Sequence, residues 1–359
     1  MEDLENMKKI FICNLAIVKS RHNETCRGGP ISNSFLLQDI VNNDNSVIVI
    51  TTGSQNIVFK ENGYIIIQKK ILFKNRILRY LYRNFIMMII LIKIIKRNKI
   101  YAIISTTAST VTSYIAALIY NKKHFIIVRA YEHLNYNSNY KFYNLKYHIY
   151  KKIYQSASAI ITNSKFMQYQ INKCIGGANI KVIYPPILKS KNKIILKKIK
   201  KIVSIGTSNN KGIDIVYKIA KKFKKIDFYI YGIKNKILEN KFKIFNNVFL
   251  MGYETDQEKI YLDKDLVLVP SLWAEPFGRV SIEAQSFGKP VLVSDIGGLT
   301  ETVNNNEDFL VKNNTTNEWI EKINNLTNNI NKEYSINYIY SFDLKSHSIE
   351  VGKLIEGKL

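Results

Sequence analysis

The chain has 359 residues, 46% hydrophobic and 12% aromatic, more than one ordinary core needs, which predicts two domains of roughly 150–200 residues each. The same figures exclude a disordered polymer outside short Asn/Lys linkers. Three scattered cysteines, Cys13, Cys26 and Cys174, exclude a disulfide framework and a zinc-ligand spacing, and fit a reducing compartment. A net charge of +25 admits nucleic acid, a membrane surface or phosphorylated substrates as partners, although a joint excess of Lys, Asn, Ile and Tyr is also what an A/T-rich coding sequence yields.

The opening segment MKKIFICNLAIV, from Met7, has the apolar character of a signal peptide. It is short, contains Asn14, lacks a small-residue cleavage site and follows an acidic leader, so it reads as a first buried strand. Apolar runs at 10–18, 47–52, 64–67, 100–105, 125–130 and 159–162 predict strands, separated by helical patterns such as 31–41, 109–120 and 144–155. This alternation predicts βαβ units and a parallel sheet covered on both faces. Between 69 and 99 there are ten basic residues and no acidic one. The apolar run 85–95 is too short to span a bilayer and is interrupted by Lys93. The segment therefore reads as buried helix and strand that also offers a basic, amphipathic edge to an anionic membrane surface.

The stretch VIYPPILKSKNKIILKKIKK, with its Pro-Pro pair and lysine run, reads as a linker. A second strand series follows: KIVSIG, DFYIYG, NVFLMG, DLVLVP and PVLVSD. Several of these end in Gly or Pro, where an open α/β sheet binds ligands and a backbone must come close. The predicted architecture is α/β, two doubly wound domains facing a central cleft. Residues 1–190 form the first domain, 191–335 the second, and 336–359 a C-terminal helix that packs back on the first.

One segment stands apart. SLWAEPFGRVSIEAQSFGKPVLVSDIGGLTE, residues 271–301, holds two of the six prolines and four of the sixteen glycines. It reads as a loop at a strand's carboxyl end, a helix RVSIEAQSF stopped by Gly288, and a strand opened by Pro290. Glu275 then lies in the loop before the helix and Glu283 about one turn inside it. The helix start suits a phosphate, and the flanking carboxylates suit sugar hydroxyls. Taken alone, an early-helix Glu is also favourable near the dipole without a ligand, and a loop Glu is usually solvated.

EPFGRVSIE, followed by GKPVLVS and GGLTE, resembles the E-x7-E segment of retaining glycosyltransferases of family 4, which have the GT-B fold. Other matches fall in order. IVSIGTSNNKGIDIVYKIAKKF resembles the opening of that family's nucleotide-binding domain, DFYIYG and NVFLMGY its next strands, ASAIITNSKFMQYQI the close of its acceptor domain, and RGGPISNSFLLQDI its glycine loop. The resemblance is close over about 157–312 and looser but in register before that. It implies transfer of a sugar from a nucleoside diphosphate, a UDP- or GDP-sugar, to a hydroxyl of a glycan or lipid-linked acceptor, with retention, in cell-surface polysaccharide, lipopolysaccharide or glycolipid synthesis. It places the enzyme in the cytoplasm or on the inner membrane face.

By the same resemblance Glu275 contacts the donor sugar and Glu283 the ribose, and Lys211, beside Gly212, is the cation for the diphosphate. Pro276, Phe277, Gly278 and Arg279 shape the diphosphate cradle. Gly206 and Thr207, Gly252 and Tyr253, and Gly28 and Gly29 stand at strand ends around it. Where the family has Gly-Arg this chain has Gly206–Thr207, which leaves one cationic contact to another residue, and YPPI replaces a common Asn-Gly-x-Asp. Many members carry a His near the reacting centre; here HFIIVRAYEHL offers Arg129, Glu132 and His133.

The resemblance needs no resident metal or other cofactor. Asp263–Asp265, an Asp-x-Asp, fits a metal-dependent sugar transferase, but it precedes a buried strand and reads as structural. A GT-B nucleotide-sugar epimerase or a phosphorylase with lysine-bound pyridoxal cofactor shares the fold. A basic nucleic-acid-binding protein is the non-enzyme alternative. No nucleic-acid signature supports it, so nucleic acid is not an expected partner.

Overall fold

The computed structural model describes residues 9–15, 29–130, 141–188 and 191–357. Gly28, Glu132 and His133 lie outside the described residues, as do Cys26 and the end of the first predicted strand. The chain divides into two compact units, one running to Pro185 and including the end from His347, the other Pro186–Ser346.

In the first unit the elements run β1 (Ile10–Asn14), α1 (Gly29–Asn42), β2 (Ser46–Gly53), β3 (Ile57–Glu61), β4 (Tyr64–Lys70), α2 (Arg76–Arg97), β5 (Ile100–Thr106), α3 (Thr110–Ile119), β6 (Lys123–Val128), α4 (Lys141–Ser156), β7 (Ala159–Thr162), α5 (Lys165–Ile175) and β8 (Ile180–Val182). Among the described residues they form one sheet in the order β3-β4-β2-β1-β5-β6-β7-β8. Its central strands are runs of Ile, Val and Phe because helices cover both faces. Leu36, Leu37 and Ile40 of α1 pack on Phe11, Val49 and Ile104. Met87, Leu91 and Ile94 of α2 pack with Ile12, Ile103 and Ala116.

The sheet is not wholly parallel. β3 pairs antiparallel with β4, Glu61 opposite Tyr64. Asn62 and Gly63 between them both have positive φ, 49° and 83°, as a two-residue hairpin turn demands. Residues 69–99, read as helix and strand, hold only the last two residues of β4 and the single helix α2.

The second unit contains β9 (Lys193–Ile195), β10 (Lys201–Ile205), α6 (Ile213–Lys222), β11 (Asp227–Tyr231), α7 (Lys236–Phe242), β12 (Val248–Gly252), α8 (Gln257–Tyr261), β13 (Leu266–Val269), α9 (Arg279–Ser286), β14 (Val291–Ser294), α10 (Leu299–Thr302), β15 (Leu310–Val311), α11 (Thr316–Asn328) and β16 (Glu333–Ser335). The main sheet is parallel, in the order β12-β11-β10-β13-β14-β15. That is the doubly wound order, in which the chain reverses direction across the sheet between its first and fourth strands, here β10 and β13. The lysine-rich segment read as a linker contributes β9, which pairs antiparallel with β16, and the stretch read as one C-terminal helix is a 3₁₀ segment, Asn337–Phe342, followed by an α-helix.

The last helix, α12 (Leu344–Glu356), carries Val351 and Leu354 into the first unit's core. There His347 Nδ1 meets the Asp39 carboxylate of α1 in a buried pair.

Candidate active site

The two loops that leave the switch point of the second sheet are the two that the motifs single out. After β10 the chain turns at Gly206, passes a single 3₁₀ turn, Asn209–Lys211, and enters α6 through Gly212. Gly212 has φ 74°, and a Cβ there would lie 1.9 Å from the Pro270 carbonyl oxygen. Only glycine lets this turn seat against the end of β13, and that contact sets Lys211 beside the second loop. Leu272 N–H donates to the Asn210 carbonyl at 2.9 Å and fastens the same junction.

Lys211 Nζ lies 2.7 Å from Glu275 Oε1. Glu275 is 7% exposed, while Lys211 remains about one-third exposed. The Ser271 hydroxyl donates to the same carboxylate oxygen, and the ammonium stands 5.7 Å from the Trp273 ring centroid. A buried carboxylate is tolerated because a charge and a hydroxyl satisfy it together. The loop itself is pinned from behind. Asn314 donates to the Ser271 carbonyl at 2.9 Å and accepts from the buried Trp319 indole at 2.8 Å and from Ser294 Oγ at 3.1 Å.

Beyond Glu275 the chain passes Pro276 and Phe277 and enters α9 at Gly278, whose lack of a side chain leaves no cap of its own on the first-turn N–H groups. Gly298 N–H donates to the Glu275 carbonyl at 2.7 Å. A Cβ on Gly298 would meet the Pro276 carbonyl oxygen at 2.5 Å, so the GG pair is what admits the loop against α10. Inside the buried face of α9, Gln285 donates to the Thr302 carbonyl and Thr302 Oγ1 to Ser281 Oγ, both at 2.7 Å. These bonds fix α9 against α10, and its start, with uncapped first-turn N–H groups, follows the loop that leaves β13, where an anion site is favourable.

Glu283 sits one turn into α9. Its Oε1 accepts from Arg279 Nη2 at 2.9 Å and Nε at 3.1 Å, and its Oε2 from the Tyr261 hydroxyl at 3.2 Å. Tyr261 is fully buried. Burial and the Glu283 charge push its phenol well above the usual range, so it stays a donor and holds the carboxylate's orientation.

The remaining predicted residues are dispersed. Gly206 N–H bonds the Tyr231 carbonyl at 2.8 Å, and Thr207 Oγ1 donates to the Ile233 carbonyl at 3.0 Å. Gly252 and Tyr253 end β12, two strands from β10, or about 10 Å away. In the first unit Gly29 opens α1, and Arg129 Nη1 donates to the Gly29 carbonyl at 2.9 Å and to Asn33 Oδ1 at 2.5 Å. These residues line a cavity of about 370 Å³ with Thr106, Thr107 and Ile127. The cavity lies at that sheet's own switch point, between β1 and β5.

Asp263 and Asp265 stand at the other end of β13 from Glu275, about 13 Å for a four-residue strand. Asp263 pairs with Lys201 at 3.1 Å and with Lys264. Asp265 Oδ2 accepts the backbone N–H groups of Lys200 and Lys201, both at 2.9 Å. Sequence reasoning passed over Tyr261, Ser271, Trp273 and Asn314. Ser271 and Trp273 lie within the motif it quoted, but no spacing signals Tyr261 or Asn314.

Residues 36–188 match the family model described as Glycosyltransferase Family 4 and residues 187–339 the one described as Glycosyl transferases group 1. Over 125 residues, 33% of this chain, the sequence is 34% identical to the poly(ribitol-phosphate) alpha-N-acetylglucosaminyltransferase of Staphylococcus aureus; the match spans 25% of that protein's length. Sucrose-phosphate synthase from Thermosynechococcus elongatus superposes with a TM-score of 0.77 at 16% identity, over 97% of this chain and 98% of that one. Anabaena Alr3699/HepE, solved in complex with UDP and glucose, gives 0.71 at 17% identity, over 96% and 99%. Both units thus meet a glycosyltransferase model in turn, on a fold of two Rossmann-like units, and the chain belongs to the glycosyltransferases of the GT-B type.

Proposed function

We propose that this protein transfers a sugar from a nucleoside diphosphate to an acceptor hydroxyl with retention of anomeric configuration, in the synthesis of a cell-surface polysaccharide, lipopolysaccharide or glycolipid. The observation that carries the reading is the Lys211–Glu275 pair at the switch point, with Glu275 in the loop that leads into α9, the helix that carries Glu283 in its second turn. The second unit takes the donor. Glu283 accepts a ribose hydroxyl, the start of α9 and Lys211 face the diphosphate, and Glu275 accepts hydroxyls of the transferred sugar. The first unit takes the acceptor at the cavity beside Arg129.

As the bond from the anomeric carbon to the diphosphate oxygen breaks, its electron pair leaves with the diphosphate. The acceptor oxygen bonds that carbon on the same face, and the acceptor proton passes to the departing oxygen. Negative charge grows where the Lys211 ammonium and the helix start already point, so both stabilise the transition state more than the bound substrate. No step draws on a resident metal: Asp263 and Asp265 are held by lysines and backbone amides at the far end of β13.

The test is release of nucleoside diphosphate from a panel of UDP- and GDP-sugars, with and without EDTA. One donor should be turned over at an unchanged rate in EDTA. No release from any donor when a glycan acceptor mixture is supplied would refute the reading, and a metal-restorable loss in EDTA would refute its metal-free form.

A further inference from the structure

Helix α2 is longer than the sheet it covers. Its 22 residues span about 33 Å, whereas the seven residues of β4 span about 23 Å. Burial in the core begins only at Met87. The first two turns and the segment leading into them project past the carboxyl ends of the strands. Each of residues 72–81 whose exposure is described is exposed. What projects is apolar: Ile77 is 70% exposed, Leu81 58% and Phe85 65%, one helical turn apart along one stripe, with Leu72 and Phe73 at its base.

This tip is a built structure. Asn75 caps the helix, accepting from the N–H groups of Ile77 and Leu78. Arg79 reaches back to donate to the Phe73 and Lys74 carbonyls, both at 3.1 Å. Phe73 packs edge-on against Tyr82 with centroids 5.3 Å apart. A rigid, solvent-facing stripe of large apolar side chains is costly in water unless something covers it.

Charge identifies the cover. Lys70, Lys74 and Arg79 are exposed around the stripe, and no Asp or Glu occurs between Glu61 and Glu132. Among the described residues no helix is long and apolar enough to cross a membrane. We propose that the tip of α2 inserts Ile77, Leu81 and Phe85 among the acyl chains of an anionic bilayer, while Lys70, Lys74 and Arg79 meet its headgroups. An interfacial helix with an apolar stripe and a basic flank binds such a surface by the two terms together. The basic residues alone would give only salt-sensitive adsorption.

The full chain would be sedimented with vesicles of phosphatidylcholine alone and of phosphatidylcholine mixed with phosphatidylglycerol. It should partition to the mixed vesicles and not to the neutral ones. Because the three side chains are exposed, the triple variant Ile77→Ser/Leu81→Ser/Phe85→Ser should keep the parental melting temperature and donor affinity, yet lose at least about tenfold in partitioning. Lys70→Glu/Lys74→Glu should lose the salt-sensitive part, and Phe85→Trp should shift its emission to the blue on mixed vesicles only. Donor affinity reports on the transfer reading separately from the vesicle result. Parental partitioning by the folded triple variant would overturn the proposal. So would a dimer that the same substitutions dissociate, without any vesicle binding.

Discussion

Glu283→Gln is the sharpest probe of the donor site, because it changes charge and keeps shape. The carboxylate already accepts from Arg279 through one oxygen and from Tyr261 through the other. Arg279 occupies both lone pairs of Oε1 through Nη2 and Nε, and Tyr261 one of Oε2, which leaves one lone pair of Oε2 for a ribose hydroxyl. A hydrogen bond to a charged acceptor exceeds one to a neutral acceptor by about 1 kcal/mol. For that one hydroxyl it is about 1 kcal/mol, or roughly fivefold in donor affinity. The fold should survive, since the Gln amide oxygen still accepts from Arg279 and loss of the charge alone costs about 1–2 kcal/mol. Titration calorimetry with the turned-over donor gives the affinity, and thermal unfolding gives the control. Tyr261→Phe removes the orienting hydroxyl but leaves the charge, so it should cost about fivefold or less. In Glu283→Gln the Tyr261 phenol keeps the effect of burial but loses that of the Glu283 charge, and should titrate lower by ultraviolet absorbance. A folded Glu283→Gln protein with parental donor affinity would show that the ribose lies elsewhere.

Lys211→Ala and Glu275→Gln should each lower turnover at saturating donor by about a hundredfold or more; because each is the other's partner, the double variant should lose less than the product of the two, and strict multiplicativity in a kinetic cycle would separate their roles. Gly212→Ala forces a Cβ against the Pro270 carbonyl oxygen at a positive φ, whereas Gly176→Ala meets nothing nearer than 3.9 Å at a similar φ. Urea unfolding should show about 1–3 kcal/mol lost at Gly176 and more at Gly212, where the clash adds to the positive φ, and equal losses would contradict the close approach. Burial lowers the His124 imidazole to about 4, below its usual 6.5. The unfolded chain then binds the extra proton between those values, so stability present above pH 6.5 is lost as pH falls toward 4, by about 3 kcal/mol. His124→Asn should flatten that part of the curve, and an unchanged pH slope would remove His124 as its source.

The fold was legible where one rule dominated. Buried parallel strands such as FIC, VIVI and VLVP are runs with no competing signal, and all were located to within a few residues. The parts that escaped are those whose signal is local and weak. β3, IVFKE, has one buried residue, Phe59, and its evidence is the Asn62–Gly63 turn rather than its own pattern. β9 lies in a run of lysines and becomes a strand only because β16, some 140 residues later, pairs with it. Helix α2 looked like helix and strand because its C-terminal half is apolar enough for either. Its length, and hence its projecting tip, followed from where the sheet ends.

In the site, glycine positions were legible because their reason is steric and local. Gly212 must meet a carbonyl, and Gly298 must let a loop pass. The partnerships were not. Lys211 and Glu275 are 64 residues apart, and either could have been read as a lone surface charge. The switch point makes them one object: β10 and β13 are neighbours in the sheet, so the loops that leave them share one edge. The resulting pair fits two states. Without donor, the Lys211 ammonium neutralises a carboxylate that burial would otherwise penalise. In the proposed reaction, sugar hydroxyls donating to Glu275 would lower that need, and the same ammonium, still one-third exposed, would turn its remaining protons to the diphosphate. Ser271 and Asn314 matter in this account because they hold the carboxylate still while its partners change. They belong to no motif, since what they supply is position rather than chemistry.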